Sequence, residues 1–325
     1  MPRNPFVTDE NTPLVELKRI YKQYPLKDKF LTAVHDLSLA IYPGETLGLV
    51  GESGCGKSTT GRCLLRLEEP TSGKIFFEGM DISSFNREEL HHFRRKAQVI
   101  FQDPYASLNP RMTAEEIIAE PLQIHRLYPK EKIPSLVTEL LDLVGLSKTA
   151  LGRFPHEFSG GQRQRIGIAR ALSMQPRFIV CDEPISALDV SVQAQIINLL
   201  KDLQEQFGLS YLLIAHDLAM VKYISDRVAV MYLGHLVELA PAEELYRSPL
   251  HPYTKALLSA IPIPDPKVER SRHRILLKGE IPSPLSKCPG CPFATRCPVA
   301  KEECHHIPPV WKEISKGHFA ACHLL

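Results

Sequence analysis

Apolar positions along the chain fall into short runs closed by polar turns, interrupted by stretches with three- and four-residue spacing, a mixture that predicts an α/β domain. Leu14 to Ile41 reads as two short strands around a polar turn, with Tyr21 and Tyr24 near the end of the first; Thr46–Val50 is the next apolar run. Thr59–Leu67 predicts a helix, Pro70–Gly73 a turn, Lys74–Phe77 a strand, Glu88–Arg95 a charged helix and Gln98–Phe101 a strand. From Ala114 to Thr149 the period turns helical, through Ile117, Ile118, Leu122, Leu136, Leu140, Leu141, Leu143 and Val144, which predicts a helical piece inserted over about 103–165. Strands return at Phe178–Asp182, Ser210–Ala215 and Val228–Tyr232, and a helix carrying Ile196, Ile197, Leu199, Leu200 and Leu203 lies between the first two.

The segment Gly51-Glu-Ser-Gly-Cys-Gly-Lys57-Ser58 sits between the apolar run ending at Val50 and the helix after it, and fits G-x-x-x-x-G-K-[ST] at every fixed position. Glycines let the backbone turn so that successive N–H groups point inward at a phosphate chain. The helix adds the positive end of its dipole, Lys57 reaches the β- and γ-phosphates, and the Ser58 hydroxyl can ligate Mg²⁺. Gly51, Ser53, Gly54, Cys55, Gly56, Lys57, Ser58 and Thr59 are therefore the expected nucleoside triphosphate residues; a Gly-rich turn matching by chance is the bland alternative.

Several polar residues stand where strands end, the position that lines ligand crevices in α/β folds. Gln102 follows one strand; Asp182 and Glu183 end another, and in a phosphate-loop protein the first such acid holds Mg²⁺ while the second orients the attacking water. His216 ends a third, where a histidine is as often simply hydrogen-bonded as functional. Ser159-Gly160-Gly161-Gln162 opens a helix, with Ser159 as N-cap and two glycines that let an anion approach, or as an ordinary glycine-rich start. An aromatic upstream of a phosphate loop, such as Tyr24, can stack on a base, although strand tyrosines more commonly just pack.

Composition changes this picture little. In 325 residues with formal charge +2 there is neither the basic excess of a nucleic-acid binder nor the polarity of a disordered chain. The start, Met1 to Phe6, lacks the pattern of a signal peptide, and no apolar run is long enough to span a bilayer, so the chain is expected in the cytoplasm. Beyond Pro241 prolines become dense, a sizeable ordinary core is not expected, and the basic stretch Glu269–Arg274 reads as a solvated linker. There the cysteines crowd as Cys288-x₂-Cys291-x₅-Cys297-x₆-Cys304-x₁₇-Cys322, open to three readings: an iron–sulfur cluster, zinc, or free thiols. Cys181, in a strand, reads as a small buried residue.

Taken in order, the phosphate loop, Gln102, Ser159–Gln162, Asp182-Glu183, Ser186–Asp189 and His216 resemble the motif series of an ABC transporter ATPase subunit. Phe158 stands where leucine is commoner in that family, a conservative departure. The resemblance implies a P-loop (RecA-like) α/β core with an inserted α-helical subdomain: a nucleotide-binding domain over 1–245 and a small Cys-rich C-terminal extension over 246–325. It further implies two such chains head to tail around ATP, Tyr24 on adenine, and Asp182 with Ser58 on Mg²⁺. Glu183 would polarise the attacking water, His216 contact the γ-phosphate, Gln102 sense metal and water, Ser159, Gly160, Gly161 and Gln162 close on the partner's nucleotide, and Asp189 sit across the dimer interface.

A narrower resemblance, carried by Phe101–Arg111, His251–Leu258 and Gly279–Pro284, is to the F-type ATPase of dipeptide/oligopeptide importers. It implies a paralogous ATPase partner, two transmembrane permease subunits, an extracytoplasmic peptide-binding protein and a peripheral place on the cytoplasmic side of the membrane. It also implies a [4Fe-4S] cluster on Cys291, Cys297, Cys304 and Cys322, from whose pattern Cys288 departs. The rivals are a nickel or small-solute importer of the same build, and a soluble ABC ATPase acting on ribosomes or DNA; the latter usually has two cassettes or a long coiled coil, which this sequence lacks.

Overall fold

The computed structural model describes residues 12–27, 29–262, 274–277, 279–280, 282–283, 285 and 288–325. Met1–Phe6, the basic residues 269–273, and Ile281 and Pro284 of the Gly279–Pro284 motif lie outside them. The chain divides into two compact units, one built from Tyr42–Glu45 and Ser84–Ile214, the other from Pro13–Ile41, Thr46–Ser83 and Ala215–Leu325.

In the second of these, β1 (Val15–Leu26) and β2 (Lys29–Ile41) form an antiparallel pair, and the order β2-β1-β4-β5 is completed by β4 (Ser72–Phe77) and β5 (Met80–Asp81). The first two strands run 12 and 13 residues, longer than the sequence pattern predicts. Register shifts at Leu17/Ile20 and Ile20/Lys22 break their alternation, so a continuous strand reads as fragments. Then β3 (Thr46–Val50), buried at every position, leads into α1 (Lys57–Leu64). That helix starts two residues earlier than the periodicity suggests, because Gly56, at φ 104°, turns the chain immediately before Lys57.

Beside β3 runs β9 (Arg227–Tyr232), parallel to it with Val50 opposite Val230, and β10 (His235–Pro241) folds back antiparallel on β9. The tail continues this arrangement. β12 (His318–Ala321) pairs with β10, Glu238 opposite Ala320, and β11 (Trp311–Ser315) pairs with β12. Phe293 is fully buried in the same unit. The proline-dense tail thus shares its unit's core rather than lacking one: adding strands to an existing sheet and inserting one aromatic needs no independent core.

The other unit carries β6 (Ala97–Ile100), β7 (Phe178–Asp182) and β8 (Ser210–Ala215), with β7 parallel to both neighbours. Most of its helices begin where short polar side chains can satisfy first-turn N–H groups. Asn86 and Glu89 box the start of α2 (Arg87–Lys96), Thr113 and Glu116 that of α3 (Ala114–Ile124), and Ser159 and Gln162 that of α5 (Gly160–Leu172). Between them α4 (Ile133–Leu143) buries Ile133, Val137 and Leu141, so the expected helical piece is α3, α4 and the start of α5. α6 (Val190–Phe207) starts on Asp189 and stops at left-handed Gly208.

Candidate active site

The phosphate loop leaves the carboxyl end of β3 through two positions where only glycine fits. Gly51 has φ 153°, and a Cβ there would stand 2.1 Å from the Met231 carbonyl oxygen; at Gly56 it would stand 2.1 Å from that of Ala33. Backbone cannot retreat as a flexible side chain does, so the loop conformation is imposed by the strands beneath it. Lys57 is buried, and its ammonium donates to the carbonyls of Gly51, at 2.7 Å, and Glu52, at 3.0 Å. No side chain caps α1, whose positive end therefore faces the loop. Burial pushes the Cys55 thiol above its ordinary range, so this loop cysteine is a neutral packing residue.

Tyr24 is brought to the same place. Its hydroxyl donates to the Glu68 carboxylate and lies within hydrogen-bonding reach of Thr59, in the first turn of α1, while the Lys22 ammonium stands 4.9 Å over its ring. Burial, then the hydrogen bond to Glu68, raises the phenol's pKa. His216 is exposed, and Asp217 after it caps α7 (Leu218–Ile224) by accepting from Ala219 and Met220 N–H groups.

In the other unit strand register sets the chemistry. Ile100 of β6 lies opposite Cys181 of β7, so the residues two further on, Gln102 and Glu183, emerge side by side. The Gln102 amide donates to a Glu183 carboxylate oxygen at 2.8 Å. Glu183 adopts φ 45°, left-handed for a residue with a Cβ, which costs about 1–2 kcal/mol. The bend is held from both sides: Glu183 N–H donates to Ile214 O at 2.9 Å, and the Glu183 carbonyl accepts from Ser186 N–H at 3.2 Å and Oγ at 3.1 Å. Asp182, one residue earlier, is buried. The same turn runs into Asp189, whose carboxylate accepts from Ser191 Oγ at 2.7 Å and Val192 N–H at 3.0 Å. Those bonds, the serine's first, lower its pKa.

At the head of α5 Ser159 and Gln162 exchange hydrogen bonds, Ser159 N–H to Gln162 Oε1 at 3.0 Å and Gln162 N–H to Ser159 Oγ at 3.4 Å. A Cβ on Gly161 would stand 2.4 Å from Val192 Cγ1, so this glycine allows α5 to close on α6. Cys181 is fully buried, and burial raises its thiol's pKa, so it is an inert core residue.

The tail cysteines are the next group that the sequence singled out. All are free; Cys291 and Cys304 are buried, Cys297 and Cys322 partly so, and Cys288 is exposed. Burial, and secondarily the neighbouring Cys304, Cys322 and Cys297, push the Cys291 thiol up to about 11. Cys304, Cys322 and Cys297 thus lie near enough to Cys291 to act on its thiol. Among the described residues no three His, Cys, Asp or Glu side chains are grouped to hold a metal ion, and the turn between these cysteines packs through the fully buried Phe293. Two residues that motif reading passes over also reach the loop: the Tyr253 hydroxyl accepts from Glu52 N–H at 2.9 Å, and Arg296 pairs with the Glu52 side chain. The only sequence signal for Tyr253 is the His251–Leu258 motif, in which it lies. Among the described residues no helix is long and apolar enough to cross a membrane.

Two families match the chain: ABC transporter over residues 34–186, and the C-terminal region of oligopeptide/dipeptide transporters over 237–304. It is 59% identical over 314 residues to the putative oligopeptide transport ATP-binding protein YkfD of Bacillus subtilis (strain 168), covering 96% of this chain and 95% of that one. It is 62% identical over 263 residues to the oligopeptide transport ATP-binding protein OppF of the same organism, covering 80% and 86%. Among solved structures it resembles the dimeric post-hydrolysis state of the ATP-binding cassette MJ0796 bound to ADP and Pi, with a TM-score of 0.65, 29% identity, and coverage of 70% of this chain and 98% of that one. With phosphate loop, acidic strand end, capped glycine pair and proline-rich tail all in the family's order, the chain belongs to the oligopeptide transport ATP-binding proteins of the ABC transporter family.

Proposed function

We propose that this chain hydrolyses ATP to energise import of di- and oligopeptides. The hydrolytic reading is carried by one observation, the Gln102 amide on the Glu183 carboxylate at 2.8 Å, at a bend the protein holds against strain. A carboxylate so fixed can take a proton from a water aimed at the γ-phosphate, and Gln102 can report whether that water is present. Lys57 neutralises the β- and γ-phosphates, and Tyr24, tethered beside α1, stacks on the base. Ser58 and Asp182 offer the hydroxyl and carboxylate oxygens that suit Mg²⁺, which when bound offsets charge on the phosphates. His216 contacts the γ-phosphate. Ser159, Gly160, Gly161 and Gln162 close on nucleotide held by a paralogous ATPase chain, and Asp189 lies at that interface.

Peptide as cargo is supported by the names of the relatives and the match over 237–304. Two permease subunits and an extracytoplasmic binding protein complete the transporter, and the chain sits on the cytoplasmic side of the membrane. The nucleotide-binding part extends through about residue 245, and the remainder is the oligopeptide-transporter extension. Four free thiols, Cys291 with Cys297, Cys304 and Cys322 near enough to act on it, have donor chemistry that suits a [4Fe-4S] cluster. Iron and sulfide analysis of anaerobically purified protein tests this, and a metal-free protein overturns it.

The test of the catalytic roles is ATP binding and turnover by Glu183→Gln and Lys57→Ala. Glutamine keeps an oxygen for the Gln102 amide but cannot act as base, so turnover falls by about 10²–10⁴ with binding retained. Lys57→Ala loses binding. Normal turnover by Glu183→Gln contradicts the assignment.

A further inference from the structure

The tail reaches the phosphate loop through one side chain. Arg296 ends a single tight turn, Ala294–Arg296, set between Cys291 and Cys297. That turn is closed by Ala294 N–H to Cys291 O at 3.0 Å and Arg296 N–H to Phe293 O at 3.0 Å, and is tied to the next helix by Cys291 N–H to Cys304 O at 2.7 Å. Phe293 in this turn packs against Tyr232, Tyr253 and His251, with ring centroids 5.2, 5.3 and 5.7 Å apart. The Arg296 guanidinium forks onto the Glu52 carboxylate at 2.7 and 3.1 Å and also donates to the Tyr232 hydroxyl at 3.4 Å. Its side chain is only 8% exposed, and the hydrogen bond it donates to the Glu52 carboxylate raises its pKa above the ordinary arginine range.

Glu52, the second residue of the phosphate loop, is consequently held at every polar group: its carboxylate by Arg296, its N–H by the Tyr253 hydroxyl, its carbonyl by the Lys57 ammonium. A fork-to-fork pair mostly withdrawn from water is strong and directional, so it fixes the orientation of the residue it grips. Orientation matters here because the Glu52 carbonyl is one of two that place Lys57. Pro282 and Ser283 of the tail join Glu52, Ser53 and Tyr232 in lining a cavity of about 200 Å³ against the loop, so the contact is not confined to Arg296.

We infer that Arg296 is a positioning residue for nucleotide binding: it fixes Glu52, and through the Glu52 carbonyl the Lys57 ammonium, so that the phosphate loop's affinity depends on the fold of the C-terminal turn. The inference rests on the reading of that loop as the ATP site. Arg296 touches no reacting atom; it acts through Glu52.

The experiment is titration of the full-length chain with a fluorescent ATP analogue, in a cycle of wild type, Arg296→Ala, Glu52→Ala and the double variant. Arg296→Ala weakens binding about tenfold, Glu52→Ala weakens it similarly, and the double variant binds no worse than either single, so the coupling is itself about tenfold. Arg296→Lys, which keeps the charge and loses the fork, recovers only part of the loss. In turnover, KM for ATP rises while kcat changes little. Unchanged affinity in Arg296→Ala, or losses that multiply in the double variant, overturns the inference, the second outcome marking a merely structural residue. If Arg296→Ala does not fold, Arg296→Lys with Glu52→Gln makes the same cycle. A wild-type chain that binds no nucleotide, indifferent to Lys57→Ala, brings down the reading of the loop and the inference with it; binding that ignores Arg296 brings down the inference alone.

Discussion

Replacing Phe293 by alanine removes a ring that is fully buried and meets three other rings within 5.7 Å. Two of those belong to Tyr232 and Tyr253, which also hydrogen-bond the residues around the phosphate loop and cannot simply collapse into the space. Deleting a buried phenyl against such neighbours costs about 3–5 kcal/mol, transfer and cavity terms together. The single tryptophan of the chain, Trp311, reports on the unit concerned: it lies in β11 and stacks on Phe319 of β12 at 6.0 Å. With a urea slope of about 3 kcal/mol/M, the Trp311 fluorescence midpoint falls by roughly 1–2 M in Phe293→Ala. Phe293→Leu, nearer in volume, loses under about 1.5 kcal/mol. A loss below about 1 kcal/mol in Phe293→Ala refutes the packing of the tail turn into the unit that carries the phosphate loop.

Glu238 is fully buried in β10 and accepts from Leu250 N–H at 2.7 Å, His251 N–H at 2.9 Å and His318 Nε2 at 2.8 Å. Glu238→Ala strands three donors and costs about 3 kcal/mol or more by the same unfolding assay; a loss within 0.5 kcal/mol, the ~0.5 range of surface changes, contradicts this. Acid also destabilises the unit. Burial lowers the pKa of His251, whose Nδ1 accepts from Tyr253 N–H, from 6.5 to about 4, and burial with its stacked neighbour His35 does the same for His235. Folded pKa values below the unfolded one mean the unfolded chain binds protons first. Stability is therefore complete above pH 6.5 and lost as pH falls from there toward 4. His251→Asn, which keeps a side-chain cap acceptor, flattens that fall, whereas a midpoint constant over the same interval rules it out.

The phosphate loop was legible from sequence because its signal is local: fixed spacing between a strand and a helix, with glycines where the backbone demands them. Gln102 and Glu183 were each legible as strand ends, yet their contact was not, since it depends on the register of β6 against β7 across a helical insertion that hides their adjacency. β1 and β2 looked short because bulges interrupt alternation, and the left-handed Arg19 and Asp36 carry no glycine to betray them. The tail misled most. Its proline density correctly indicates little independent core, but a pairing such as β12 on β10, or Arg296 on Glu52 across 244 residues, has no local trace in sequence. Cysteine spacing left cluster, zinc and free thiols open, and gave no sign of the buried phenylalanine and two added strands that pack the tail into its unit.

Hydrolysis-driven import is tested most directly by following ATP consumption and peptide uptake together in proteoliposomes holding the complete transporter, with either the wild-type chain or Glu183→Gln. Wild type consumes ATP as labelled peptide enters, and Glu183→Gln abolishes both while nucleotide remains bound. Peptide uptake that persists in Glu183→Gln, or wild-type ATP consumption with no peptide movement, contradicts it.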